Sequence, residues 1–270
     1  MPTLVSGELV VDYLAEGSGP SVLLLHSSVS GNRQWRRLVE ELSPTYRCFA
    51  PNLRGYGSTS PWPGGRKQTL DDAVEVVLRL CDTVHGPLRL IGHSWGASVA
   101  LGAASQLGTA VSHLALYEPA MAGLLIGHGR TEASTEILQL YAAVQELGDT
   151  QRWMELAEVF TDYFNGHGAW ASTPTERRQV IAAQIPPNRH EWDAGAQPMT
   201  AQSFEAVTAR TLILRGAQSP LALKETVEVL CQAFPSWRLC EIEGAGHMGP
   251  LTHSAIVNAE LRSFLAERGD

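Results

Sequence analysis

The sequence predicts an α/β protein: a mostly parallel central sheet flanked by helices and interrupted by a helical insert. Three observations carry that prediction. Short apolar runs of strand length alternate with helical apolar spacing up to about residue 120, and again after residue 204. Residues 121–204 contain no strand-like run and read as helices alone. Gly92-His93-Ser94-Trp95-Gly96 joins the apolar stretch at residues 88–91 to a small-residue helical stretch, so Ser94 lies at the apex of a strand–turn–helix.

In chain order, residues 9–14 have strand character and Gly17-Ser18-Gly19-Pro20 is a turn. Residues 21–25 are too short and too aliphatic for a helix and read as a buried strand, ending at His26-Ser27-Ser28-Val29-Ser30-Gly31. Trp35, Leu38, Val39 and Leu42 give helical spacing over residues 32–42. A strand over 46–50 leads into the loop Pro51-Asn52-Leu53-Arg54-Gly55-Tyr56-Gly57-Ser58. An amphipathic helix over 70–84 precedes the strand at 88–91, and a strand over 113–117 ends at Glu118-Pro119. Helices are expected near 135–147, 150–164 and 175–185, with breaks at Asn165-Gly166-His167-Gly168 and Pro186-Pro187. The alternation resumes with a strand at 211–214, a helix at 221–234 and a strand at 238–242. Gly244-Ala245-Gly246-His247 then leads into a last helix ending near residue 265. The expected organisation is a core from residues 1–120 and 205–270, with residues 121–204 folded over it as a helical cap.

The 270 residues, 44% of them hydrophobic, suffice for a full buried core. A net charge of −8 without a Lys/Arg run argues against nucleic acid or an anionic membrane as partner. Cys48, Cys81, Cys231 and Cys240 show no C-x-x-C spacing and read as free thiols of a reducing compartment. With no leader-like start and no apolar run of ~18 residues, a cytoplasmic protein is expected. The partner implied is a small-molecule substrate; the oligomeric state is not readable. No metal cluster, dinucleotide motif or P-loop is present, so no cofactor is expected.

The chemistry begins at Ser94. A serine on so tight a turn occupies a strained backbone conformation, and side chains at 92 and 96 would strike the adjoining strand and helix. The turn lifts the hydroxyl clear of the sheet and leaves the Trp95 N–H at a helix N-terminus, facing developing negative charge. A serine hydroxyl is a poor nucleophile at neutral pH and needs a base within hydrogen-bond reach. His247, on a glycine-rich loop before the last helix, is the candidate. His85, His113, His128, His167 and His190 read as surface or cap residues, and His253 as a helix-start residue. His26 reads as support for its loop and His93 as packing beneath the turn.

Five motifs in order, His26-Ser27-Ser28 after a strand, Pro51 to Ser58, Gly92 to Gly96, Tyr117-Glu118-Pro119 and Gly246-His247, resemble those of the α/β-hydrolase fold superfamily over nearly the whole chain. The resemblance implies a capped serine hydrolase with Ser94 as nucleophile and His247 as base. Relatives usually place an Asp after the strand at 211–214, but Arg215-Gly216-Ala217-Gln218-Ser219-Pro220 offers no carboxylate. The alternative position, after the strand that follows the elbow helix, holds Glu118, resembling a subset of haloalkane dehalogenases. Glu118 is therefore the expected acid, against a reading as a buried structural carboxylate of the cap hinge. The resemblance also assigns the oxyanion hole to backbone N–H groups of Trp95 and Ser28. Ser27 stands where relatives usually carry glycine, as an extra hydroxyl donor or a helix cap. Asn52 reads as structural, and Arg54 as bound to a nearby carboxylate or carbonyl, with a pocket role as the alternative. Possible pocket residues are His26, Ser27, Trp153, Trp170, Trp192 and Met248.

The expected function is cofactor-free hydrolysis of a small, largely apolar ester, lactone or related carbonyl compound, with carbon–carbon hydrolysis as a variant. Two other classes fit the same fold: a non-hydrolytic tailoring enzyme (cyclisation or cofactor-free oxygenation) and a ligand-binding module with vestigial catalysis.

Overall fold

The computed structural model describes residues 2–84 and 86–267, so His85 lies outside the described residues. Eight strands form one sheet: β1 (Thr3–Ser6), β2 (Leu9–Glu16), β3 (Ser21–Leu25), β4 (Arg47–Pro51), β5 (Leu88–His93), β6 (Val111–Tyr117), β7 (Arg210–Gly216) and β8 (Arg238–Ile242). Their spatial order is β1-β2-β4-β3-β5-β6-β7-β8. The pairs β1–β2 and β2–β4 are antiparallel, and every pair from β4–β3 to β7–β8 is parallel.

Because strand side chains alternate faces, one continuous apolar run supplies both layers of core. Leu23 and Leu25 of β3, with Leu90, Leu114 and Leu116, pack against helices α2 (Leu70–Cys81) and α3 (Trp95–Leu107). Val22 and Leu24, with Ile91, Ala115 and Leu212, pack against α1 (Arg36–Leu42) and, at the chain's end, Phe264 and Leu261 of the last helix. The α2 helix begins at Leu70 for a local reason. Thr69 Oγ1 accepts the Asp72 N–H at 3.2 Å, while Asp72 Oδ2 accepts the Thr69 N–H at 2.8 Å, a reciprocal cap.

Between β6 and β7 the chain builds α4 (Ala122–Gly127), α5 (Thr131–Asp149), α6 (Trp153–Asn165), α7 (Ala169–Ser172), α8 (Thr175–Gln184) and α9 (Asn188–Gly195). Ile137, Leu140, Val144, Leu156 and Phe164 form their shared apolar cluster, which also takes in Val29 and, beyond β7, Ala222 and Leu223 of α10 (Leu221–Ala233). The chain closes with α11 (Gly249–Thr252) and α12 (Ser254–Ala266). No helix among the described residues is long and apolar enough to cross a membrane.

The differences from expectation have physical causes. The stretch at 32–42 opens as a 3-10 turn, Asn32–Trp35, before α1 starts at Arg36. Strand β1 lies at the sheet's edge, where its partly exposed residues carry little pattern. Helix α4 is six residues long, and α9 has few apolar residues, burying polar side chains instead, Asn188, Glu191 and Asp193. His113, expected at the surface or in the cap, is instead a buried residue of β6. Its Nε2 lies 3.0 Å from the Glu267 carbonyl oxygen.

Candidate active site

Ser94 stands between β5 and α3 with φ 56° and ψ −121°, a conformation an L-residue holds only when its surroundings impose it. A Cβ at Gly96 would stand 2.3 Å from the Leu25 carbonyl oxygen, and one at Gly92 would stand 2.4 Å from the Gly96 carbonyl oxygen. Glycine at both positions lets the turn close. The Ser94 N–H donates to the Tyr117 carbonyl at 2.9 Å, which ties the apex to the end of β6.

Glu118 follows Tyr117 with φ 46°, and its own N–H continues the sheet by donating to the Leu214 carbonyl at 3.1 Å. That bend turns its side chain toward the loop after β8. Glu118 Oε2 lies 2.7 Å from His247 Nδ1, and His247 Nε2 lies 2.9 Å from Ser94 Oγ. An ionised carboxylate only accepts, so His247 Nδ1–H donates to Glu118 and Nε2 accepts the Ser94 hydroxyl proton. All three side chains are buried.

The loop after β7, which contains no carboxylate, holds one from a neighbour. Glu118 Oε1 accepts the Gly216 N–H at 2.6 Å and the Ser219 hydroxyl at 2.5 Å. Tyr117 reaches the other way: its hydroxyl donates to the Gly246 carbonyl at 2.8 Å, securing the loop that carries His247. Beneath the imidazole, His93 Nε2–H donates to the His247 carbonyl at 2.8 Å, while His93 Nδ1 accepts from Gln34 Nε2 at 3.0 Å. Burial holds His93 well below the usual histidine range, which keeps it neutral and able to play both parts.

Of the residues expected near the pocket, Ser28, Trp95 and Trp192 line the cavity that contains Ser94. Ser27 and Met248 line its neighbour, which shares Ser94 and Ser28 and also includes His247. Ser27 is no free donor, because its N–H and its hydroxyl both donate to Gln34 Oε1, each at 2.9 Å. His26 is turned away into the core. Its Nε2 accepts the Leu53 N–H at 3.0 Å and its Nδ1–H donates to the Ser27 carbonyl at 2.7 Å. Burial brings its pKa down to about 4. Trp153 and Trp170 pack in the apolar cluster centred on α4–α9 and line neither cavity. The wall of the Ser94 cavity is instead largely Met121, Leu125, Ile137, Phe160, Phe164 and Leu223. Asn52 and Arg54 are both tied into the fold, and Arg54 also lines a separate cavity with Trp62 and His190. Asn52 bridges the Asn32 N–H at 2.8 Å and Asp12 at 2.9 Å, and Arg54 donates to Glu75 at 2.5 Å.

Two features lay beyond the sequence reading. Val29 holds φ 60°, and its N–H donates to the buried Tyr56 hydroxyl at 3.0 Å, so the Ser28 loop is under imposed strain. Glu191 of α9 lies in the wall of the Ser94 cavity, beside Asn188. The only local signal for α9 was Pro187 ahead of Asn188, a helix-start pattern without an apolar stripe behind it.

An eight-stranded, mostly parallel sheet with a strained serine between strand and helix, buried against a histidine and a carboxylate, defines a hydrolase of α/β type. Residues 22–260 match the family model described as alpha/beta hydrolase family, and the chain belongs to that family. It is 34% identical to lipase LipV of Mycobacterium tuberculosis, across 96% of this chain and 100% of that protein. It is 25% identical to 2-hydroxymuconate semialdehyde hydrolase of Pseudomonas sp., across 93% of this chain and 88% of the relative. Among solved structures it is similar to MGS-M2, an alpha/beta hydrolase enzyme from a Medee basin deep-sea metagenome library. The TM-score is 0.83 at 15% identity, over 100% of this chain and 98% of the other.

Proposed function

We propose that the protein is a cofactor-independent serine hydrolase acting on a small, largely apolar ester or lactone through an acyl-enzyme. The observation that carries this reading is the unbroken path Ser94 Oγ–His247 Nε2, 2.9 Å, and His247 Nδ1–Glu118 Oε2, 2.7 Å. Ser94 Oγ attacks the substrate carbonyl as His247 Nε2 takes its proton. Glu118 stays ionised, orients the imidazole and stabilises the imidazolium. The Trp95 and Ser28 backbone N–H groups receive the oxyanion of the tetrahedral intermediate. His247 returns the proton to the leaving alcohol, and then draws one from the water that cleaves the acyl-enzyme.

The apolar wall of the cavity supports an uncharged, hydrocarbon-rich substrate. The similarity to a lipase over 96% of this chain and all of that protein supports ester chemistry, and carbon–carbon hydrolysis of a related carbonyl compound is a variant open to the same residues. Residues 121–204 serve as a cap that encloses the substrate over Ser94.

Intact-mass labelling with a fluorophosphonate tests the reading. Wild type should take up one label rapidly, Ser94→Ala none, and Glu118→Gln one label slowly. A folded wild type that stays unlabelled, and hydrolyses none of a panel of short esters, overturns it.

A further inference from the structure

Glu191 is a buried carboxylate that the hydrolytic steps do not use. It is 5% exposed, sits on α9 and lines the same cavity as Ser94. Oε2 accepts from Asn188 Nδ2 at 3.1 Å, whereas the buried Oε1 has no hydrogen-bond partner. A carboxylate oxygen stripped of water and left unpaired is costly. Among the described residues no basic side chain pairs with it. The charged neighbours on its own helix are engaged elsewhere, Arg189 with Asp149 and Asp193 with Lys67 at 3.3 Å. Burial pushes its pKa up to about 7, against the pull of the nearby Ser28 hydroxyl, Asn188 amide and Tyr56 hydroxyl, of which Asn188 is the one in hydrogen-bond geometry. The rest of the wall is apolar and aromatic, with Trp192, Phe160 and Phe164 nearby. In such a cavity a single unsatisfied acceptor sets orientation and specificity, because a ligand lacking the matching donor leaves it desolvated and unpaired.

We propose that Glu191 is the substrate-recognising residue of the cap, its free Oε1 accepting a hydrogen bond from an O–H or N–H⁺ donor carried on an otherwise apolar substrate. The substrate class is thus an ester or lactone with a hydroxyl or ammonium group several bonds from the reacting carbonyl. This specificity rests on the hydrolase reading, but recognition and turnover are measured separately.

The probes are benzyl acetate and its 3-hydroxymethyl and 3-aminomethyl derivatives, together with methyl phenylacetate bearing the same substituents, so that the donor is offered on both the alcohol and the acyl side. Binding is measured by calorimetry on Ser94→Ala, and turnover on wild type. In at least one series a donor-bearing ester should bind, and be hydrolysed with kcat/KM, about tenfold or more better than its parent. Glu191→Met should bring that ratio near one in both measurements. Glu191→Gln distinguishes the donors, since it retains an acceptor for the hydroxyl but removes the charge that favours the ammonium.

Esters that turn over without any donor advantage, or an advantage that survives Glu191→Met, overturn the proposal while leaving the hydrolase reading intact. A Glu191-dependent preference in binding with no turnover of any ester upholds the recognition role and overturns the hydrolase reading. Neither binding preference nor turnover overturns both.

Discussion

At Glu118 three donors converge on one buried carboxylate. Gly216 N–H and Ser219 Oγ hold Oε1, and His247 takes Oε2. Glu118→Gln keeps the shape but turns one acceptor into a donor, which forces the wrong imidazole tautomer or breaks the bond. We expect kcat to fall by about 10³–10⁴-fold, with the thermal transition nearly unmoved. Near-normal turnover by the folded variant would assign Glu118 a structural role only. Ser219→Ala removes one hydrogen bond to the ionised carboxylate, an interaction of about 1.5–3 kcal/mol, so a kcat drop of about tenfold or more is expected. Steady-state kinetics on the same ester would rank the two variants, and Ser219→Ala must be the milder.

The elbow and the helix behind it are held by contacts that no side chain can yield to. A methyl at position 96 would press on the Leu25 and His26 carbonyl oxygens at 2.3 and 2.4 Å, both of them backbone atoms. Gly96→Ala should therefore lose more than about 4 kcal/mol and accumulate in the insoluble fraction. A soluble variant with an unchanged denaturant midpoint would mean that the elbow relaxes. Thr69→Ala deletes half of the reciprocal cap on α2, far from the site. It should cost about 1 kcal/mol, lowering the melting temperature by about 2–4 °C with kcat unaltered.

Across the whole molecule, buried groups set opposing pH dependences. His26 is held at about 4 rather than 6.5, so the folded state takes up its proton later than the unfolded chain. Its contribution is intact above pH 6.5 and is lost as pH falls toward 4, amounting to about 3 kcal/mol. His93, also held low by burial, acts in the same direction. Glu191 acts in the other. Raised from 4.5 to about 7, it favours the folded state as pH falls from 7 to 4.5 and disfavours it above. Wild type should therefore show a shallow stability profile between pH 7 and 4.5, and Glu191→Gln a visibly steeper loss. Urea midpoints measured at half-unit intervals would reveal the difference, and parallel profiles would show that Glu191 is ionised throughout this range.

The strands at Ser21–Leu25 and Arg238–Ile242 and the turn around Ser94 were legible because their determinants are local: aliphatic runs of strand length, and glycines placed around a serine. The ordering of the five motifs likewise made the family readable before any contact was known. Glu118 was legible only by elimination, since its reach to His247 depends on a bend at φ 46° and on a loop after β7 that supplies donors instead of the expected acid. Indoles at 153 and 170 looked like pocket walls by type, yet they pack within the apolar cluster that also walls the cavity without reaching the cavity, and an apolar stripe does not say which of its members will face a ligand. Helix α9 was illegible because it runs polar side chains into the interior, against the pattern by which helices are recognised. The chain by itself thus determined the sheet, the elbow and the identities of the serine and histidine, all consequences of short-range sterics and periodicity. Which carboxylate meets the histidine, and that a second lines the serine's cavity with one oxygen unpaired, was decided only when residues distant in sequence were packed into one site.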